Sequence, residues 1–230
     1  PLRMWRCHSM RRDDMLHFKG PKSGCRAYLS VGGGISVTPV MESESTSLSS
    51  RFGGYEGRPL QKGDILSTES PHLHLGAAAR AFDSKWIPAY SRDWVLRVML
   101  GPQDAEFTGA AKKRFLGSSF RVSPHSDRMG IRLTGPALEK KPGMPESIIS
   151  EGLVPGTIQV PGDAQPIIIL METITGGYRK IATVISADLP SLGQIKPGDT
   201  VRFRGVSLNN AYEALRHREM IIQRFKATIR

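Results

Sequence analysis

The 24 glycines and 16 prolines spread over 230 residues constrain the fold more than any other feature. Both residue types interrupt helices, so the chain is expected to be mainly β, built of short strands and turns rather than a helical bundle. Its length suits one large domain or two small ones, enough to bury a core. The longest apolar run, Ile167 to Met171, is far too short to span a bilayer. No charged-then-apolar leader pattern opens the sequence. Two cysteines, Cys7 and Cys25, are too few for a disulfide scaffold and are expected to be reduced thiols of a cytoplasmic chain.

The formal net charge is +11, which raises the question of nucleic acid or another polyanion. The basic residues are dispersed: Arg3, Arg6, Arg11 and Arg12 early, Lys112-Lys113-Arg114 in the middle, Arg216, Arg218 and Arg224 late. Aromatics make up only 7% and do not interleave with them, so a base-stacking platform is absent and nucleic-acid binding is not expected.

Three stretches share a shape in which a basic residue and a Gly-Asp or Asp-Asp pair lead into apolar residues. They are Lys62-Gly63-Asp64-Ile65-Leu66, Lys196-Pro197-Gly198-Asp199-Thr200-Val201 and, more weakly, Arg12-Asp13-Asp14-Met15-Leu16. The repetition suggests two tandem β-units, 1–90 and 91–206, followed by a C-terminal helix and tail over 207–230. In the first unit, strands are expected over 26–31, from Ile35, and over 60–66, with a polar surface loop over 41–55. In the second, strands are expected at Trp94–Leu100, Ser119–Ser123, Arg128–Leu133, Gly156–Val160, Gln165–Met171 and Arg179–Ser186. Thr108 offers an N-cap for a short helix over 109–116. Ser207 or Asn209 caps the final helix, whose Ala211, Leu215, Ile222 and Phe225 fall at helical spacing.

Several chemistries lack their motifs. No P-loop, zincin or nucleophile-elbow pattern occurs. Gly32-Gly33-Gly34 is followed by Ile35-Ser36-Val37-Thr38-Pro39, so it reads as a tight turn rather than a phosphate cradle. His72-Leu73-His74 would put two imidazoles on one face of a strand, yet no further ligands lie at supporting spacing.

The informative region is 123–188, where three polar turns flanked by apolar strands carry Gln, Asp, Thr, Tyr, Arg and Lys to strand ends. Its segments SDRMGIRLTG, ESIISEGLVPGTIQVPGDAQPI and TGGYRKIATVISADLP, with the earlier SGCRAYLSVGGGISV, FGGYEGRPLQKGDIL and RVMLGPQDAEFT, resemble the second allophanate-hydrolase-type domain. That family occurs as the C subunit of bacterial 5-oxoprolinase, in the antagonist of a histidine-kinase inhibitor, and in urea carboxylase and urea amidolyase. The resemblance runs from about Trp5 to Val206 and implies a cyclophilin-like β-barrel architecture. The family's usual opening segment has no counterpart here, so the chain is expected to be shortened at its N-terminus relative to the family.

The resemblance also implies a role in ATP-dependent hydrolysis of 5-oxo-L-proline to L-glutamate, together with 5-oxoprolinase subunits A and B. The second of these, the kinase-inhibitor-like one, would be the direct contact. ATP is then bound with or by the partners, and the chain is expected to be inactive without them. Such a site needs cations for anionic groups and donors aimed at developing oxyanion charge. Arg128 and Lys180 are the candidate anion anchors, with Gly176 and Gly177 as a backbone N–H nest. Thr175 and Tyr178 would add hydroxyls, Gln159 and Gln165 would position substrate or water, and Asp163 is a candidate base. Each has a plainer reading: Arg128 paired with Glu151 or Asp127, Gly162-Asp163 as a β-turn, Gly176-Gly177 as a hairpin, Lys180 as a solvated charge. Two other functions share the resemblance. One is the carboxyltransferase part of a biotin-dependent urea carboxylase, with biotin arriving on a partner; the other is a non-catalytic regulator that binds the kinase-inhibitor partner.

Overall fold

The computed structural model describes residues 2–68, 81–170 and 173–229. The His72-Leu73-His74 pair lies outside the described residues. The chain forms two compact units, one of Pro1–Gly20 with Ala27–Ala89, the other of Pro21–Arg26 with Tyr90–Arg230. Cys7 and Cys25 are free thiols.

All nine named strands lie in the second unit: β1 (Asp93–Leu100), β2 (Ser119–Val122), β3 (Gly130–Thr134), β4 (Glu151–Gly152), β5 (Thr157–Val160), β6 (Ile167–Ile169), β7 (Thr175–Gly176), β8 (Arg179–Val184) and β9 (Thr200–Gly205). Seven of them close a barrel in the order β1-β8-β5-β6-β3-β2-β9. The closure is mixed, because β1 and β9 run parallel with Trp94 opposite Val201 and Leu96 opposite Phe203, while the other neighbours are antiparallel. β4 and β7 form a separate two-stranded ribbon.

Alternation explains most of the barrel. Trp94, Leu96 and Val98 on β1, Phe120 and Val122 on β2, Ile131 and Leu133 on β3, and Val201 and Phe203 on β9 are buried in one core. β5 and β8 differ, since nearly every residue in them is buried. Helix α1 (Gly109–Gly117) starts where Thr108 Oγ1 accepts the Ala111 N–H at 3.0 Å. Its Phe115 stacks on Phe203 with ring centroids 4.4 Å apart. A one-turn helix, α2 (Leu189–Leu192), precedes β9. The C-terminal helix α3 (Leu208–Ile229) begins at Ser207, whose Oγ accepts the Asn210 N–H at 3.3 Å. Its half-buried positions, among them Ala211, Leu215, Ile222 and Phe225, repeat at helical spacing, and Arg218 donates to the Ser186 carbonyl at 2.7 Å.

The three repeated turns share one hydrogen-bond pattern. In each, an Asp carboxylate accepts the backbone N–H three residues earlier: Arg11 to Asp14 at 2.7 Å, Gln61 to Asp64 at 2.6 Å, Lys196 to Asp199 at 3.1 Å. Only the last turn leads into a strand, β9. The strands expected over 26–31, from Ile35 and over 60–66 do not form; the described part of the first unit has isolated bridges, such as Ser47 with Phe52, and no strand. Apolar alternation needs a pairing neighbour to become a strand, and here Tyr28 and Ile65 stand 82% and 83% exposed.

Candidate functional site

Strand β8 opens with two adjacent cations, Arg179 and Lys180, in a stretch buried on both faces. Burying a charge is costly unless it is paired and hydrogen-bonded, so the surroundings of these two side chains define a built site.

The Lys180 side chain is only 7% exposed and its ammonium donates to Glu151 Oε2, while the Glu151 side chain is 49% exposed. The buried stem thus delivers its charged tip to a rim open to solvent. Gln103 completes the knot: its Oε1 accepts the Lys180 backbone N–H at 3.1 Å and its Nε2 donates to Glu151 Oε2 at 3.2 Å. The hydrogen bond from Lys180, followed by that from Gln103, holds the Glu151 carboxyl below its ordinary value near 4.5.

Gln103 reaches this position because the turn after β1 lies directly on β8. Gly101 donates its N–H to the Ile181 carbonyl at 2.8 Å, and a Cβ on Gly101 would sit 2.3 Å from the Lys180 carbonyl oxygen. Gly101→Ala is therefore expected to push the turn off β8 and cost about 1–3 kcal/mol, measured by urea denaturation. An unchanged midpoint would show that the close approach is not needed.

On the next strand, Gln159 is the register partner of Lys180, at a bulge between Ile158 and Gln159. Its amide is buried and donates to the Tyr178 carbonyl at 3.2 Å. The ribbon packs against that amide, since a Cβ on Gly176 would meet Gln159 Nε2 at 2.7 Å and Leu153 Cδ1 at 2.9 Å. Thr175 and Gly176 pair with Gly152 and Glu151, and the Gly177 carbonyl accepts the Ile148 N–H at 2.8 Å. Neither Gly176 nor Gly177 has the left-handed φ of a nest, so their backbone forms a ribbon edge in place of the expected N–H cradle. The Tyr178 ring and Thr175 are exposed beside it.

Arg179 points elsewhere. Its side chain, 3% exposed, gives Nε to Glu106 Oε2 at 2.5 Å and Nη1 to the Pro145 carbonyl at 2.6 Å. Glu106 in turn accepts the Lys141 N–H at its carbonyl, 2.8 Å away. Arg179 thus ties the turn after β1 to the loop ahead of the ribbon.

Lys180, Tyr178, Gln159, Thr175, Gly176 and Gly177 therefore gather at the start of β8. The other candidates do not join them. Asp163 and Gln165 lie in the turn between β5 and β6. There Asp163 Oδ1 accepts the Gln165 N–H at 3.1 Å, and the Gln165 amide clamps the Gly135 backbone at 2.8 and 3.2 Å. Both line a shallow cavity of about 350 Å³ with Ser123, His125, Arg132 and Thr134. Arg128 is exposed in the turn ahead of β3, where Asp127 Oδ1 accepts the N–H groups of Met129 and Gly130 at 2.8 and 3.1 Å. Sequence reasoning passed over Gln103, Glu151, Glu106 and Arg179 as members of the site. The available signal was the Arg-Lys pair opening a strand whose other residues, Thr183 apart, are apolar. Among the described residues no group of three or more His, Cys, Asp or Glu is placed to hold a metal ion.

The family described as carboxyltransferase domain, subdomains A and B, matches residues 1–205. The chain belongs to this family. Within it, the chain is 37% identical over 212 residues to the C subunit of 5-oxoprolinase from Escherichia coli, covering 91% of this chain and 65% of that protein. It is 34% identical over 226 residues to the corresponding 5-oxoprolinase C subunit of Haemophilus influenzae, covering 98% and 70%. The chain thus spans about two thirds of the length of these two relatives. The solved structure of the Kluyveromyces lactis urea carboxylase superposes with a TM-score of 0.81 at 31% identity, covering 89% of this chain and 20% of that one.

Acid should loosen the Glu151 contact of this carboxyltransferase-family site. Because Glu151 titrates lower in the folded than in the unfolded chain, its contribution is present above the unfolded value near 4.5 and is lost as pH falls through the folded value. Glu151→Gln is expected to flatten the fall in urea midpoint as pH drops below about 5. An identical pH profile for the two proteins would place the stabilisation elsewhere.

Proposed function

We propose that the chain acts as the C subunit of a 5-oxoprolinase, working with subunits A and B in ATP-dependent hydrolysis of 5-oxo-L-proline to L-glutamate. The buried Lys180, held at the solvent rim by Glu151 and Gln103, is the observation that carries this reading. A substrate with one carboxylate and one lactam carbonyl needs a fixed cation and hydroxyl donors, and Lys180 lies among the exposed Thr175 and Tyr178. Lys180 would anchor the carboxylate or the oxygen that gains charge, Tyr178 and Thr175 would donate to it, and Gln159 would hold the ribbon in place. Arg128 would attract the anion from outside, and Asp163 with Gln165 would act at the neighbouring cavity. ATP would be bound with or by the partner subunits, and the kinase-inhibitor-like partner is the proposed direct contact. The seven-strand barrel is read as cyclophilin-like and the setting as cytoplasmic; no helix among the described residues is long and apolar enough to cross a membrane.

The likeness to urea carboxylase favours a second reading, the carboxyltransferase step of a biotin-dependent enzyme with biotin carried by a partner. Supplying the assembly of the chain and subunits A and B with 5-oxoproline and ATP, or with urea and a carboxylated biotin carrier, separates the two. Glutamate from the first mixture supports the leading reading. Carboxylated urea from the second alone would replace it.

A further inference from the structure

Folding gathers arginines that are dispersed in the sequence onto one wall of the barrel. β9 lies between β1 and β2, and β2 lies between β9 and β3. Since Val201, Phe203, Phe120, Val122, Ile131 and Leu133 fill the core, the alternate residues face out. Those outward positions hold Arg202 and Arg204 on β9, Arg121 on β2 and Arg132 on β3, all exposed. Ser119 pairs with Arg202 and Arg121 pairs with Thr200, so Arg121 and Arg202 are diagonal neighbours. The Ser123 N–H donates to the Arg132 carbonyl at 2.8 Å, which sets Arg132 one diagonal step beyond Arg121. With diagonal steps of about 7–8 Å, the four arginines form a row roughly 20 Å long. Arg92 flanks it: a Cβ on Gly198 would lie 3.8 Å from Arg92 Nη2 and 3.9 Å from Arg121 Nη2.

Two carboxylates lie beside the row, Asp93 on the same face of β1 next to Thr200 and Asp163 in the cavity that Arg132 also lines, and neither forms an ion pair with it. Among the described residues, no hydrogen bond or ion pair engages the guanidinium of Arg121, Arg132, Arg202 or Arg204. Elsewhere in this unit arginines are paired, as Arg97 with Asp188 and Arg114 with Glu139, each at 2.5 Å. A line of like charges left unneutralised repels itself and favours an anionic partner. Ser119, Thr134 and Thr200 stand between the arginines and Asp93 and Val95 border them on β1, with no aromatic ring to stack a base. Guanidinium forks match carboxylates in a bidentate manner, and two relatives carry the name of a subunit, a chain that works against other proteins.

We propose that this arginine wall docks the carboxylate-rich surface of a partner protein. The inference is independent of which substrate the site takes. To test it, the full chain is titrated with a poly-L-glutamate of about 20 residues, and with single-stranded and duplex DNA of matched charge, at low and physiological salt. The wall variant R121E/R202E is compared with R216E/R224E, which makes the same charge change at exposed positions of α3. Polyglutamate should bind the wild type and R216E/R224E alike, and R121E/R202E about tenfold or more weakly. If R121E/R202E fails to melt cooperatively, R121Q/R202Q should still weaken binding severalfold. Equal weakening in both reversed variants, or no binding by the wild type, would overturn the proposal. DNA bound more tightly than polyglutamate, and released by the wall variant, would make the wall a nucleic-acid surface instead.

Discussion

Lys180→Met should lower turnover of the reconstituted assembly by about 100-fold or more, the scale of losing one preorganised donor to developing oxyanion charge. Methionine preserves the unbranched stem that packs in β8, so the barrel keeps its filling. The half-exposed Glu151, deprived of its partner, can take water and still accepts from Gln103. The stability change should therefore stay within about 1 kcal/mol, as for a rim ion pair. If the ammonium acts on the reacting oxygen, kcat falls; if it only anchors the carboxylate, KM rises. Unchanged kcat and KM would remove Lys180 from the chemistry.

Arg179→Ala should destabilise the fold by about 2 kcal/mol. Removing one member of a buried charge pair commonly costs ~3–5 kcal/mol because the other charge is stranded. Here the Glu106 side chain is 34% exposed, so solvent takes up part of that loss. The Pro145 carbonyl also loses its donor, and the loop from Lys141 onward loses its tie to β8. Arg179→Met separates the lost packing from the lost charge and should recover part of the deficit. Urea denaturation reads both variants, and a midpoint within error of wild type for Arg179→Ala would contradict the assigned role.

What the sequence made legible was local. Trp94 to Leu100 alternates and forms β1, Thr108 caps α1, and the Ala211–Phe225 spacing forms the half-buried stripe of α3. Each of these depends on neighbours within a few residues. The site does not. Gln103 meets Lys180 across 77 residues and Glu106 meets Arg179 across 73, and no periodicity encodes such pairings. β5 and β8 are buried on both faces and show no alternation, so the sequence leaves Lys180 open between an anion anchor and a solvated charge until its partners are placed. Gln165 stood beside Gln159 as a positioning candidate, yet its amide serves the Gly135 backbone while that of Gln159 serves the Tyr178 carbonyl. Arg121, Arg132, Arg202 and Arg204, far apart in the sequence, become a row only once the register of β2, β3 and β9 is known.

The most direct measurement is glutamate and ADP formation from 5-oxoproline and ATP by subunits A and B, with the chain added or left out. Turnover that appears only when the chain is present is the predicted result. Full turnover without it, or none with it although the partners bind it tightly, would contradict a catalytic subunit built around Lys180.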